Sequence, residues 1–179
     1  MERKLELKDI ACYLPYGLET TTDRTSEIHT IYCMRDKYFY ITGFDGIILI
    51  EFCKPILRPL SDLYKTIIHN GKEIVPIVEL AKIAFPRHKH FILRPKNGIR
   101  DERCVLFCGN LDLYDFEYNS IDSAFYCFGS SSGFIREYKL TPNQYQLFDY
   151  LNELKIDYRG LIDVGLAIDC NTLDINPYK

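Results

Sequence analysis

Apolar residues recur at helical spacing in two stretches of the chain and alternate through most of the rest. In the first stretch, residues 54–85, Leu60, Leu63, Tyr64, Ile67 and Ile68 fall at i, i+3, i+4, i+7 and i+8, which makes one apolar stripe on a helix. Pro59 suits a first helical turn, and Asn70-Gly71 offers the left-handed residue that ends a helix. A second helix starts at Pro76, places Ile77, Leu80, Ala81 and Ala84 on one face, and stops at Pro86. The pattern predicts a structural helical hairpin over about 59–85. The second stretch opens at Thr141-Pro142-Asn143-Gln144, which reads as a capping box with Thr141 as N-cap and Gln144 reaching back. Leu140 and Tyr145 stand where a hydrophobic staple would, and Leu147, Phe148, Leu151 and Leu154 face inward, predicting a helix over about 141–155. One further helical turn over Leu161 to Val164 stops at Gly165.

The remaining patterns read as strands and turns. Residues 3–18 begin with a short strand and turn at Leu14 to Gly17, and the polar run Glu19 to Glu27 reads as a loop. Ile28 to Cys33 is a strand, Arg35-Asp36-Lys37 a turn, and Tyr38 to Thr42 pairs with Ile47 to Phe52 across an Asp45-Gly46 hairpin signal. Further on, His90 to Leu93, Cys104 to Cys108, Leu111 to Tyr118, Ala124 to Phe128 and Phe134 to Leu140 read as strands. The alternation within Leu111 to Tyr118 changes parity, which predicts a bulge or turn near Asp115.

Together these elements predict a single α+β domain spanning residues 1–179. Its sheet is mostly antiparallel and packs on the central helical hairpin and the 141–155 helix. Aromatic residues at 14%, with 14 Tyr and 11 Phe, strengthen the strand reading, because rings fit a half-buried pleated surface. A net charge of −3 provides no global attraction to nucleic acid or anionic membrane. Seven cysteines without a CxxC pair, several inside apolar runs, fit buried thiols in a reducing compartment. The charged opening MERKLELKDI lacks a signal-peptide core and no apolar run approaches a membrane span, so the expectation is a soluble, cytosolic protein.

Candidate chemistry is sparse. His88 and His90 would share a face of a strand and are the weak candidates for a metal site, which needs at least one more ligand. Gly129 to Gly133 spells G-x-S-x-G around Ser131, but a strand follows it, and all four histidines precede it, against the order that a nucleophile elbow requires. Cys104, Cys108 and Cys127 lack the spacing of a zinc site. The acidic run with Asp112, Asp115 and Glu117 has no second cluster to complete a cation site. Residues 82–103 carry a net charge of +5 with Phe91 interleaved, while residues 104–135 contain Asp112, Asp115, Glu117 and Asp122 and no Lys or Arg. Arg87, Lys89, Arg94, Lys96, Arg100 and Arg103 are accordingly the candidate nucleic-acid contacts. No catalytic residue, metal site or cofactor is assigned, and no nucleotide-binding or EF-hand motif occurs.

The segments KLELKDIACYLPYGL, KPILRPLSDLYKTIIHNGKEIVPIVELAKI and GLIDVGLAIDCNTL resemble a family of small uncharacterised proteins of gut-bacterial genomes and their phages and prophages. The resemblance covers about a third of the chain and brings no activity, cofactor or site residue with it. It implies a mobile-element setting, where small accessory proteins bind host proteins or nucleic acid. The expected function is a non-enzymatic binding module directed at a protein partner, with nucleic-acid binding through the basic segment as the alternative and a metal-dependent hydrolase as a third.

Overall fold

The computed structural model describes residues 3–23, 25–43, 46–93, 105–108, 113–130 and 137–179. The chain opens with α1 (Leu7–Ile10) and continues through β1 (Glu19–Thr22), β2 (Thr25–Arg35), β3 (Tyr38–Ile41), β4 (Ile48–Leu49) and β5 (Cys53–Leu57). Then come β6 (Ile67–His69), β7 (Lys72–Ile74) and α2 (Pro76–Ala84), followed by β8 (Phe91–Leu93), β9 (Val105–Cys108), β10 (Leu113–Asn119), β11 (Ala124–Ser130) and β12 (Glu137–Leu140). The chain closes with α3 (Gln144–Glu153) and β13 (Ile168–Asp169). This is an α+β fold, as the pattern predicts. It divides into two compact units, one made of residues 1–60 and 151–179 and the other of residues 61–150.

The first unit holds a six-stranded sheet in the order β13-β5-β1-β2-β3-β4, antiparallel except where β13 runs parallel to β5. Its core gathers Ile10, Tyr13, Leu18, Phe39, Ile41, Leu57 and Leu161, all essentially buried. Where the sequence predicts an opening strand, residues 7–10 are helical, because Glu6 and Asp9 form a reciprocal capping box, Asp9 accepting the Glu6 N–H at 3.0 Å. Where the polar run Glu19 to Glu27 suggests a loop, β1 and the start of β2 form a hairpin, with Thr22 opposite Thr25. Threonine is β-branched and fits the pleat, and alternation buries Thr20 and Thr22 while their neighbours stay half-exposed. Across Asp36, which sits at φ 55°, Arg35 pairs directly with Tyr38. Strands β3 and β4 pair as expected, although Phe44 and Asp45 of the turn lie outside the described residues.

The second unit corrects the helical hairpin. Residues 60–64 form a short 3₁₀ turn, and Ile67–His69 pairs with Lys72–Ile74 as a two-stranded ribbon. Asn70 and Gly71 adopt φ 51° and 72°, positive at both central residues, as a two-residue type I′ hairpin requires. The same Asn-Gly pair that can end a helix thus closes a hairpin here, because the β-branched run Thr66-Ile67-Ile68 before it favours extended backbone. Helix α2 forms as predicted, burying Ile77, Leu80, Ala81 and Ala84.

The five-stranded sheet of this unit runs β12-β11-β10-β9-β8, antiparallel throughout. No bulge interrupts β10: Asp115 pairs with Leu106 on one side and Phe128 on the other in unbroken register. An aromatic cluster organises the core. Phe116 and Phe125 stack at 5.5 Å, Phe85 meets Phe116 edge-on at 5.9 Å, and Phe148 meets Phe125 edge-on at 5.6 Å. Edge-on and offset ring pairs add about 0.5–1.5 kcal/mol each beyond area burial. The sheet is thereby tied to the residue after α2 and to α3.

Helix α3 begins at Gln144, two residues later than the capping box predicts. The Asn143 carbonyl, at a residue with φ 62°, accepts the N–H of Gln146 at 2.9 Å, and the buried Thr141 hydroxyl has no hydrogen-bond partner among the described residues. The Gln144 carboxamide does reach back, donating to the Thr141 carbonyl at 2.8 Å. It also brackets Phe125, donating to its carbonyl at 2.8 Å and accepting its N–H at 2.9 Å. Since β12 ends with Leu140 opposite Tyr126, Gln144 acts as a side-chain extension of that ladder by one rung. Among the described residues, no helix is long and apolar enough to cross a membrane.

Candidate functional site

The basic segment begins where α2 ends. A turn follows Phe85, closed by the His88 N–H on the Phe85 carbonyl at 3.0 Å. Arg87 within it, and Lys89 and His90 just beyond it, are exposed, whereas His88 is half-buried with its ring edge-on to Phe85 at 6.2 Å. Strand β8 starts only at Phe91, so residues 88–90 are not extended in a ladder and the shared-face argument for the two imidazoles fails. Among the described residues, no group of three His, Cys, Asp or Glu side chains converges as a metal site. Lys82 forms an ion pair with Glu79 at 2.6 Å on the exposed side of α2. Arg94, Lys96, Arg100 and Arg103 lie outside the described residues, so of the six candidate contacts the structure places Arg87 and Lys89, both exposed, two residues apart.

The other motifs take ordinary places in the sheet. Gly129 and Ser130 end β11, Ser131 lies outside the described residues, and the next described element is the antiparallel strand β12 rather than a helix. Among the described residues, β11 is thus followed by a strand, where a nucleophile elbow needs a helix. Cys108 on β9 pairs with Leu113, and Cys127 on β11 pairs with Phe116, so β10 lies between the two strands, and Cys104 lies outside the described residues. Burial pushes the Cys127 thiol up to about 11, with the Asp115 carboxylate adding to the effect, and burial likewise pushes Cys53 up to about 11. Such thiols stay protonated near neutrality, which suits packing rather than nucleophilic chemistry. Asp112 lies outside the described residues, Asp115 is half-buried, Glu117 is buried, and Asp122 is exposed in a turn where it accepts from Asn119 at 2.9 Å and Tyr126 at 3.2 Å.

Large apolar side chains on the surface of the second unit form the feature that sequence reasoning missed. Among the described strands of its sheet, the two outermost each expose an aliphatic residue, Ile92 on β8 at 65% and Leu140 on β12 at 58%. Beyond the 141–143 turn, Tyr145 is 73% exposed. Leu140 and Tyr145 therefore do not form a staple, because the helix starts at Gln144 and leaves both facing solvent. An apolar residue beside a helix start is normally packed, so periodicity could not have marked these two as surface; only the displaced cap reveals it.

No protein-family model matches the chain, and comparisons with curated proteins and with solved structures return no match.

Proposed function

We propose that the protein is a non-enzymatic binding module acting on a protein partner, with strand β12 of the five-stranded sheet as the docking edge. The exposed Leu140 at the end of that outer strand carries the reading. An outer strand offers main-chain N–H and C=O groups to an extended segment, and exposed apolar side chains beside it supply the anchor that gives specificity. Tyr145, close by in sequence and exposed, is the type of ring that dominates binding energies at protein interfaces. The resemblance to phage and prophage proteins supports a mobile-element accessory role in a bacterial cytosol. The free thiols Cys12, Cys33, Cys53 and Cys127 suit a reducing compartment of that kind.

The test is capture from the cytosol of a gut bacterium with the wild-type chain beside Leu140→Lys. An exposed position tolerates such a change within about 0.5 kcal/mol, so the variant keeps its fold. A partner held by wild type and lost by the variant supports the reading. No partner under several salt conditions, or equal capture by both, refutes it.

The exposure of Arg87 and Lys89, two residues apart, favours nucleic-acid binding through Arg87, Lys89, Arg94, Lys96, Arg100 and Arg103 as the second reading. Counterion release makes such binding fall with salt, with a logarithmic slope of about 0.9 per phosphate contacted. Binding to fluorescent DNA and RNA across a salt series, repeated with Arg87, Lys89, Arg94 and Lys96 changed to Ala, measures it. Absent or salt-insensitive binding removes it.

A further inference from the structure

In the first unit, the ladder between β1 and β5 pairs Thr22 with Cys53, Thr21 with Lys54 and Thr20 with Pro55. The next rung would join Glu19 to Ile56, and the hydroxyl of Tyr178 occupies it. That hydroxyl donates to the Ile56 carbonyl at 2.7 Å and accepts the Glu19 N–H at 3.4 Å. The ring is gripped as well. The Arg58 guanidinium lies 5.4 Å from its centroid and donates to the Tyr178 carbonyl at 2.6 Å, and the Lys155 ammonium lies 5.6 Å from the same centroid.

Lys155 stands at a position that usually belongs to glycine. It follows α3 at φ 58°, with its N–H on the Asn152 carbonyl at 3.1 Å and the Ile156 N–H on the Leu151 carbonyl at 3.0 Å, the two bonds of a Schellman cap. A left-handed conformation costs an L-residue roughly 1–2 kcal/mol. A lysine kept there despite that cost, with its ammonium over an aromatic ring, breaks a local rule for the sake of its side chain. The neighbouring backbone ties in at the same place: Arg58 N–H bonds the Lys155 carbonyl and Asp157 N–H bonds the Arg58 carbonyl, both at 2.8 Å. Strand β13 adds only Ile168 and Asp169, paired with Ile56 and Leu57.

We propose that Tyr178 is a latch that holds β1, β5, β13 and the Lys155 cap together, and that its release opens this seam while the β2–β3 half of the sheet stays paired. Residues 56–58 are the keeper, since strand, cap and ring all close on them. Opening bares the outer edge of β5 together with the Arg58 and Lys155 cations.

Residue-resolved amide hydrogen exchange on wild type, Tyr178→Phe and Tyr178→Ala tests it. Tyr178→Phe keeps the ring between its cations and removes the hydroxyl, so exchange at Glu19 accelerates about tenfold while the β13–β5 pair stays protected. Tyr178→Ala removes both, so Glu19, Leu57, Ile168 and Asp169 accelerate together by about tenfold or more, and the β2–β3 amides Met34 and Phe39 do not change. Unchanged exchange at Glu19 in Tyr178→Phe overturns the proposal, and this arm decides the matter if Tyr178→Ala does not fold. Equal acceleration across β2–β3 in Tyr178→Ala also overturns it, since the residue would then only contribute to global stability.

Discussion

Replacing Gln144 by Ala should destabilise the second unit by about 2–3 kcal/mol, and replacing it by Glu should do so in a pH-dependent way. The carboxamide makes three hydrogen bonds, two donated to the carbonyls of Phe125 and Thr141 and one accepted from the Phe125 N–H. A typical intramolecular hydrogen bond contributes about 1 kcal/mol net, and a buried donor left without a partner costs about 1–3 kcal/mol. The Phe125 carbonyl keeps the Thr141 N–H at 2.9 Å, so its loss is partial, whereas the Phe125 N–H loses its carboxamide acceptor. With a slope of about 1–3 kcal/mol per molar urea, the midpoint should fall by about 0.7–3 M. In Gln144→Glu the carboxylate faces two carbonyl oxygens, which raises the folded-state pKa of that carboxyl above its unfolded value. The folded state then binds more protons, so stability falls as pH rises through the unfolded and folded pKa values and recovers on acidification. Urea unfolding followed by circular dichroism, with exchange at the Phe125 amide as the local probe, measures both effects. A change under 0.5 kcal/mol for Gln144→Ala, or a Gln144→Glu variant whose deficit does not shrink on acidification, would refute the argument that this side chain continues the β12 ladder.

Three other outcomes follow from the same geometry. Gly71→Ala should cost about 1 kcal/mol, because an added Cβ meets no atom within 4 Å yet the residue sits at φ 72°, so the penalty is backbone strain alone; urea titration reads it. At pH 8, Cys53 and Cys127 should resist a thiol reagent in the folded protein while the exposed Cys33 reacts, as burial holds both thiols near 11; mass mapping of labelled peptides checks this. Asp157→Ala should destabilise the first unit by about 2–3 kcal/mol, since the buried carboxylate accepts the N–H groups of Leu161 at 3.0 Å and Ile162 at 2.7 Å; Asp157→Asn, which keeps one acceptor oxygen, should lose less on thermal melting.

Legibility in the sequence varied with how many structures one local signal permits. Pro76 with its apolar face specified α2, and the strands of the second sheet were readable from alternation and turns. The Asn70-Gly71 pair fits both a helix end and a type I′ turn, and only the pairing of Ile67 with Ile74 decides between them. The run Glu-Thr-Thr-Thr looks like a loop by polarity, and it becomes a strand because Thr20 and Thr22 alternate into a buried face. The capping box named the right partners, Thr141 and Gln144, but could not show that Phe125 would compete for the carboxamide from 19 residues away. The same limit applied to the candidate sites. Charge clustering marked Arg87 and Lys89, which are indeed exposed, whereas the shared face of His88 and His90 depended on a strand that begins only after both, at Phe91. Tyr178 carried no signal at all, since its partners Glu19, Ile56, Arg58 and Lys155 are scattered along the chain.

The first unit is built from two separated lengths of chain, with the whole of residues 61–150 synthesised between them. On the ribosome, β1 to β5 therefore emerge as a sheet whose outer strand waits for about a hundred further residues before Ile168 and Tyr178 arrive, some five to twenty seconds at ordinary elongation rates. The entropy of closing so long a loop grows only logarithmically with its length, so the delay is one of timing more than of stability. During that interval the intervening unit can fold completely, while the edge of β5 remains open to whatever strand is nearest, including the same edge on a neighbouring nascent chain. The order of synthesis thus leaves the Ile56–Arg58 edge open to mispairing at birth until Ile168 and Tyr178 arrive.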